Sequence, residues 1–328
     1  MRKKLLSVVT ILSLLLASCS SNNNAENSSD DKSINSSTTQ QVESSDKEVI
    51  YTSFYPIYSL TSQIAGDKFE VKSFGNLTSE AHDWEPSAKD IAKLEDSKLL
   101  IINGAGMEEW LDDVKNSTDI EILDTTKNVD LIKAEDHDED EHEAEEGEEH
   151  HHHHGEYDPH TWLSPMNAKI QAKAIYEKLS EIDNENASYY KNNYENLDKE
   201  LDSIIKEYKE KLDNIDDKKI VVNHEAFGYL SRDFSLEQIS LTGLTSTGEA
   251  NLKAMNEIID EIKDEKINTV FYEKGGSDKS AKVIAEQING DVKPLSTMEF
   301  VSDDDLKNDV KYQDLIKENL QNIYESLQ

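Results

Sequence analysis

The segment Glu185–Ile215 constrains the architecture most. It is an uninterrupted stretch of about 30 residues with Tyr190, Tyr194, Leu197, Leu201, Ile204, Ile205, Tyr208 and Leu212 at three- and four-residue steps, the period of one apolar helix face. On either side the chain alternates short β-rich runs with helical patterns. Before it, Glu48–Ser53, Phe69–Phe74 and Lys98–Asn103 read as strands, Tyr58–Ala65, Ser87–Glu95 and Pro165–Ile182 as helices. After it, Lys219–Val222, Leu236–Ser240, Asn268–Tyr272 and Asp291–Leu295 read as strands, with helices between them and a closing helix near Asp309–Leu327. Strand–helix alternation implies parallel sheets covered by helices on both faces. The expected class is α/β: two (β/α) lobes joined by one rigid linking helix, with a ligand cleft between them. The expected divisions are 47–183 for the first lobe, 184–216 for the linking helix and 217–328 for the second lobe.

Charge narrows the partners. Among 328 residues, 34 Lys+Arg face 69 Asp+Glu, a formal net charge of −35. A nucleic-acid binder needs clustered positive charge, which this chain lacks. Arg2 and Arg232 are its only arginines, so bidentate recognition of phosphate or carboxylate is nearly absent. Anionic lipid headgroups would repel such a surface. Cations suit it.

The lone cysteine excludes an intrachain disulfide. Met1–Arg2–Lys3–Lys4 is a basic start, Leu5 to Ala17 an apolar run too short to span a bilayer comfortably, and Leu16–Ala17–Ser18–Cys19 closes it. Residues 1–18 therefore read as a signal peptide, and the small residues before Cys19 resemble the lipobox of bacterial lipoproteins, in which that cysteine is lipidated. Residues 19–46 follow as a tether: Ser20 to Asp46 holds nine Ser and five Asn with almost nothing to bury. A lipid anchor and a tether reaching about 30 Å would keep the domain at a membrane's outer face.

The ten histidines form two populations. His137, His142, His150, His151, His152, His153 and His154 lie within 135–156, a stretch that also carries twelve acids and no Lys or Arg. It cannot form a core and reads as a solvated loop that collects cations weakly at several sites. His82, His160 and His224 instead each stand alone where a strand or loop meets a helix. His82 precedes a helix start marked by Pro86, Ser87 and Asp90; His160 precedes Ser164–Pro165; His224 follows Lys219–Val222. Such loops converge on one cleft in parallel α/β sheets. Three imidazoles nearly complete a zinc shell, and closure wants a fourth ligand. Glu273, at the end of Asn268–Tyr272, is the candidate; Asp278 and a water are the alternatives. Asp158, Asp83 and Glu225 are close enough in sequence to orient the rings from behind.

Taken together, the lipobox, the block Glu80–Ala–His–Asp–Trp–Glu–Pro–Ser–Ala–Lys–Asp90, the acidic His-rich insertion, Asp158–Pro–His–Thr–Trp–Leu–Ser–Pro165, the long helix and Val221–Val–Asn–His–Glu–Ala–Phe–Gly–Tyr–Leu230 resemble the metal-binding solute-binding lipoproteins of bacterial ABC importers, in the zinc-specific branch. The resemblance covers nearly all of Lys47 to Gln328. It implies two lobes clamping one Zn²⁺ around a linking helix, with His82, His160 and His224 as ligands and Glu273 as the acidic fourth. It further implies an ABC permease and its ATPase as partners, a monomer, and attachment to the outer face of the cell membrane, either at a Gram-positive surface or facing a periplasm. The family's manganese branch has a carboxylate where this chain has His224, and imidazole favours Zn²⁺ where Mn²⁺ prefers oxygen. Some relatives carry an extra C-terminal zinc-binding domain; this sequence ends without one, which leaves capture to this module.

Three other functions compete. A zinc enzyme needs an open metal position beside a general base. No His–Glu–x–x–His pattern exists here, since Ala226, Phe227 and Gly228 follow His224–Glu225. A manganese or iron importer component and a surface metal store or adhesin are the others.

Overall fold

A computed structural model describes residues 47–134, 155–243 and 252–328. Cys19, the signal and tether, and the seven histidines from His137 to His154 lie outside the described residues, all of which belong to one unit, Asp46–Gln328.

The first half builds β1 (Val49–Thr52), α1 (Tyr55–Ala65), β2 (Glu70–Ser73), α2 (Ala88–Ala92), β3 (Leu99–Ile102), α3 (Leu111–Ser117), β4 (Ile122–Asp124) and α4 (Pro165–Ile182). Its four strands are parallel in the order β2-β1-β3-β4, with Ile50 opposite Val71 on one side and Leu99 on the other. The second half repeats this pattern. After α5 (Ala187–Leu212) come β5 (Lys219–His224), α6 (Gly228–Phe234), β6 (Glu237–Thr242), α7 (Leu252–Asp264), β7 (Thr269–Glu273), α8 (Lys279–Ile288), β8 (Asp291–Leu295), α9 (Asp303–Lys307) and α10 (Tyr312–Ser326). The order is β6-β5-β7-β8, again parallel. The class is therefore α/β with two four-stranded lobes and a long helix between them, as expected from the alternation. The fourth strand of the first lobe was not anticipated: Ile122–Asp124 is three residues long, and α3 buries only Val114, so neither shows a repeat to read.

Sequence explains the main boundaries. Ser164 caps α4 by accepting from the backbone N–H of Met166 and Asn167, with Pro165 in the first turn where its missing donor costs nothing. Ser87 and Asp90 form the capping box that their spacing announced. In α5, Tyr190, Leu197, Leu201, Ile204, Tyr208 and Leu212 are buried, and this face packs against α1, α4 and α10. Each such side chain contributes about 1.5–3 kcal/mol on burial.

The linking helix is not the only tie between the lobes. The closing helix returns to the first lobe: Tyr55 donates to the Val310 carbonyl at 2.7 Å, Ser59 Oγ accepts from the Tyr312 N–H at 3.0 Å, and Tyr312 donates to the Trp162 carbonyl at 2.6 Å. Residues from both halves accordingly share one hydrophobic core, which runs from Ile50 and Leu60 in the first to Leu315, Ile316 and Leu320 in the second.

Candidate metal centre

Each ligand candidate is delivered by a different segment at the carboxyl ends of the strands, where parallel α/β sheets place their sites. His82 lies in the loop between β2 and α2. That loop is weighted down by Trp84, whose ring packs edge-on against Phe74 at 5.2 Å and Trp110 at 5.6 Å. His160 follows β4 by way of Asp158–Pro159 and is fully buried. A buried polar network holds its segment: Asn103, at the end of β3, donates to the Pro159 carbonyl at 2.9 Å and accepts from Thr161 Oγ1 and Gln171 Nε2 at 2.8 and 2.9 Å. His224 is the last residue of β5 and is 1% exposed.

The structure sets the three imidazoles against a carboxylate not singled out from the sequence, Glu299: the ligand atoms of His82, His160 and Glu299 lie within 4.8 Å of one another, and His224 joins them through its contact with Glu299. His82 Nε2 lies 3.7 Å from Glu299 Oε2, and His160 Nε2 and His224 Nε2 each lie 3.5 Å from Oε1. His82 Nε2 and His160 Nε2 are 3.1 Å apart. Tetrahedral ligands at the usual zinc distances of about 2.0–2.1 Å stand about 3.3 Å from one another, which is the scale of these four separations. The chemistry of the atoms agrees. Glu299 is wholly buried, yet among the described residues neither of its carboxylate oxygens has a hydrogen-bond partner, and neither does His224 Nε2. Buried polar atoms are almost always satisfied, so three orphaned ones facing each other mark a place for a cation.

Glu299 owes its position to both halves of the molecule. It lies four residues beyond β8, directly after Met298, whose φ of +60° is a left-handed turn that side-chain-bearing residues seldom adopt. Asn319 on α10 clamps the turn, accepting from the Ser296 N–H at 2.8 Å and donating to its carbonyl at 2.7 Å. From the first lobe, the Trp162 indole donates to the Thr297 carbonyl at 2.7 Å, and the Val301 N–H donates to the Leu77 carbonyl at 2.9 Å.

Glu273 is the carboxylate expected as the fourth ligand. It ends β7 and approaches the cluster, but one of its oxygens accepts from Thr297 Oγ1, and the carboxylate set against all three imidazoles is Glu299. The Asp278 carboxylate pairs with Lys282 at 2.6 Å at the start of α8. Behind the rings, Asp158 does what was expected of it: its Oδ1 accepts from His160 Nδ1 at 2.8 Å and from the His160 N–H at 2.9 Å. That bond places the ring proton on Nδ1 and leaves Nε2 facing the cluster. Asp83 is exposed.

The electrostatics follow from this crowding. Burial would lower the His160 pKa, but the Asp158 and Glu299 carboxylates outweigh it and raise it to about 9. Burial lowers His82 to about 4, against the pull of Glu299. Glu299 stays well below the usual carboxylate range despite its burial, because Glu80 and the imidazoles of His160 and His224 surround it. Burial and the adjoining Glu299 push Glu80 up to about 10.

Comparison with known proteins identifies the family. The sequence profile of the family described as zinc-uptake complex component A, periplasmic (ZnuA), matches residues 50–326. The high-affinity zinc uptake system protein ZnuA of Bacillus subtilis (strain 168) is 32% identical over 285 residues, covering 86% of this chain and 88% of that protein. Among solved structures, the metal-dependent lipoprotein YcdH of Bacillus subtilis superposes with a TM-score of 0.74 at 28% identity, covering 86% of this chain and all of that one. The laminin-binding protein Lmb of Streptococcus agalactiae, described as bifunctional with adhesin and metal-transporting activity, gives a TM-score of 0.74 at 26% identity with the same coverage. The two lobes, the three imidazoles and these likenesses together show that the chain belongs to the ZnuA family of zinc-uptake components.

Proposed function

We propose that this protein captures Zn²⁺ outside the cytoplasm and delivers it to an ABC-type permease for import, with His82, His160, His224 and Glu299 as the ligands. The observation that carries this reading is the set of buried, unpartnered donor atoms on His224 and Glu299 facing the other imidazoles. Three nitrogens and one carboxylate suit Zn²⁺ better than Mn²⁺ or Fe²⁺, which favour more oxygen. A fourth protein ligand leaves no open position for a catalytic water, which argues for carriage over hydrolysis. The lobes, tied by both α5 and α10, suit small settling motions around the ion. His82 is the ligand reached most directly from solvent, with a side chain 10% exposed against 0–1% for the others.

Residues 1–18, read as a signal peptide, and Cys19, read as the lipidated residue, support a domain held at the outer face of the membrane. No helix among the described residues is long and apolar enough to cross one. The loop histidines His137, His142 and His150 to His154 would gather zinc near the cleft. Competition dialysis against equal Zn²⁺ and Mn²⁺ tests the reading: one zinc per cleft retained in preference to manganese supports it, and preferential retention of Mn²⁺ overturns the ligand argument.

A further inference from the structure

Next to the histidine cluster stands a second donor set made only of oxygen. Carboxylate oxygens of Glu80, Glu273 and Glu299 all lie within 4.8 Å of one another. Among the described residues none of the three pairs with a lysine or arginine. Each outer member has one oxygen already engaged. The Ala81 N–H donates to Glu80 Oε1 at 3.0 Å, and Thr297 Oγ1 donates to Glu273 Oε1. Among the described residues, both oxygens of the fully buried Glu299 have no hydrogen-bond partner. A carboxylate has about four lone-pair sites, so Glu299 can face the imidazoles and still offer a lone pair to this side.

We propose that Glu80, Glu273 and Glu299 form a second cation position that shares Glu299 with the histidine site and takes a hard divalent ion such as Mn²⁺ or Ca²⁺. Carboxylate oxygen is the donor such ions prefer, whereas three imidazoles select a borderline-soft one. The two positions differ in donor type across a single shared residue. A hard cation held there would occupy the oxygen side of Glu299 while the imidazoles stand empty, and would compete with zinc for that residue. The inference rests on reading the histidine cluster as the zinc site.

The full-length protein tests it, with bound Mn²⁺ counted from the loss of the free-ion electron paramagnetic resonance signal. The double variant His160→Ala/His224→Ala removes the imidazole position and leaves the three carboxylates. It should retain as much saturable Mn²⁺ as the wild type, and adding Glu80→Gln/Glu273→Gln should remove one equivalent. Equal Mn²⁺ counts with and without the two glutamine substitutions overturn the proposal. Glu80→Gln/Glu273→Gln with the histidines intact should still bind one zinc tightly, which checks folding and keeps the two positions separate; loss of that zinc also overturns it. Tight zinc binding that persists in His160→Ala/His224→Ala would instead defeat the histidine reading itself, whatever the Mn²⁺ count.

Discussion

At the scale of single residues, the centre works through protons as much as through metal. His160 is held up to about 9 by Asp158 and Glu299 against the cost of burial, so in the metal-free protein it carries a proton at neutral pH. Zinc requires the neutral ring, and binding must expel that proton. Zinc affinity should therefore rise by about tenfold per pH unit between pH 7 and 9 for this one proton. Calorimetry in buffers of different ionisation enthalpy should show about one proton released per zinc at pH 7. The same raised pKa contributes stability to the metal-free protein that is fully present below about 6.5 and is lost as pH climbs through 9. Replacing Asp158 by Asn frees His160 Nδ1 from its carboxylate and should weaken zinc binding by about 10–100-fold; an unchanged affinity would mean that the 2.8 Å contact does not orient the ring.

The histidines were legible in the sequence for a chemical reason. Ten histidines are few, seven sit in one stretch, and the remaining three each precede a helix or end a strand. Glu299 was not legible, because it is one of 69 acids and stands four residues past its strand, where only a fold that turns the chain back through Met298 sets it against the imidazoles. A faint signal exists in the acid set between apolar Met298 and Phe300. Glu273 ends its strand beside Glu299, as the strand-end rule expects.

At the scale of elements, the acidic histidine stretch is attached by a narrow neck. Lys133 and Tyr157 form an antiparallel bridge, the Ala134 N–H donates to the Glu156 carbonyl at 3.2 Å, and the Asp158 N–H donates to the Ile132 carbonyl at 2.9 Å. The Tyr229 hydroxyl on α6 fastens this neck from the other lobe, donating to the Asp158 carbonyl at 2.7 Å and accepting from the Ile132 N–H at 3.1 Å. Deleting Asp136–Gly155 thus joins two backbone ends that already lie side by side. The deletion should leave one tight zinc site intact and lower only the number of weakly held ions, as counted by equilibrium dialysis. Loss of the tight site would mean that the two histidine populations act as one. The long helix could be read from its periodicity, and the strands before His82 and His224 from their β-rich runs. The strand before His160, β4, and the helix α9 could not, because β4 is only three residues long and α9 buries none of its five side chains.

At the scale of the whole molecule, two helices rather than one join the lobes, and the hydrogen bonds from Tyr55, Trp162 and Tyr312 tie them further. Such bracing limits closure to small sliding or settling, in contrast to a wide hinge. The radius of gyration from solution scattering should differ by less than about 1 Å between metal-free and zinc-loaded protein, the scale of change in pre-organised binders; a larger contraction would contradict the bracing. The bracing also fixes the carboxylate that faces the imidazoles, since α10 and Trp162 together hold the segment that carries Glu299. The most direct measurement is a zinc titration of the wild type beside Glu299→Ala and Glu273→Ala, each checked for folding by thermal melting. Glu299→Ala should lose more than about 100-fold in affinity, beyond the loss typical of residues that only support a ligand, while Glu273→Ala should keep tight one-to-one binding. The reverse order, with Glu273→Ala crippled and Glu299→Ala binding normally, would contradict the assignment of Glu299 as the ligand that closes the site.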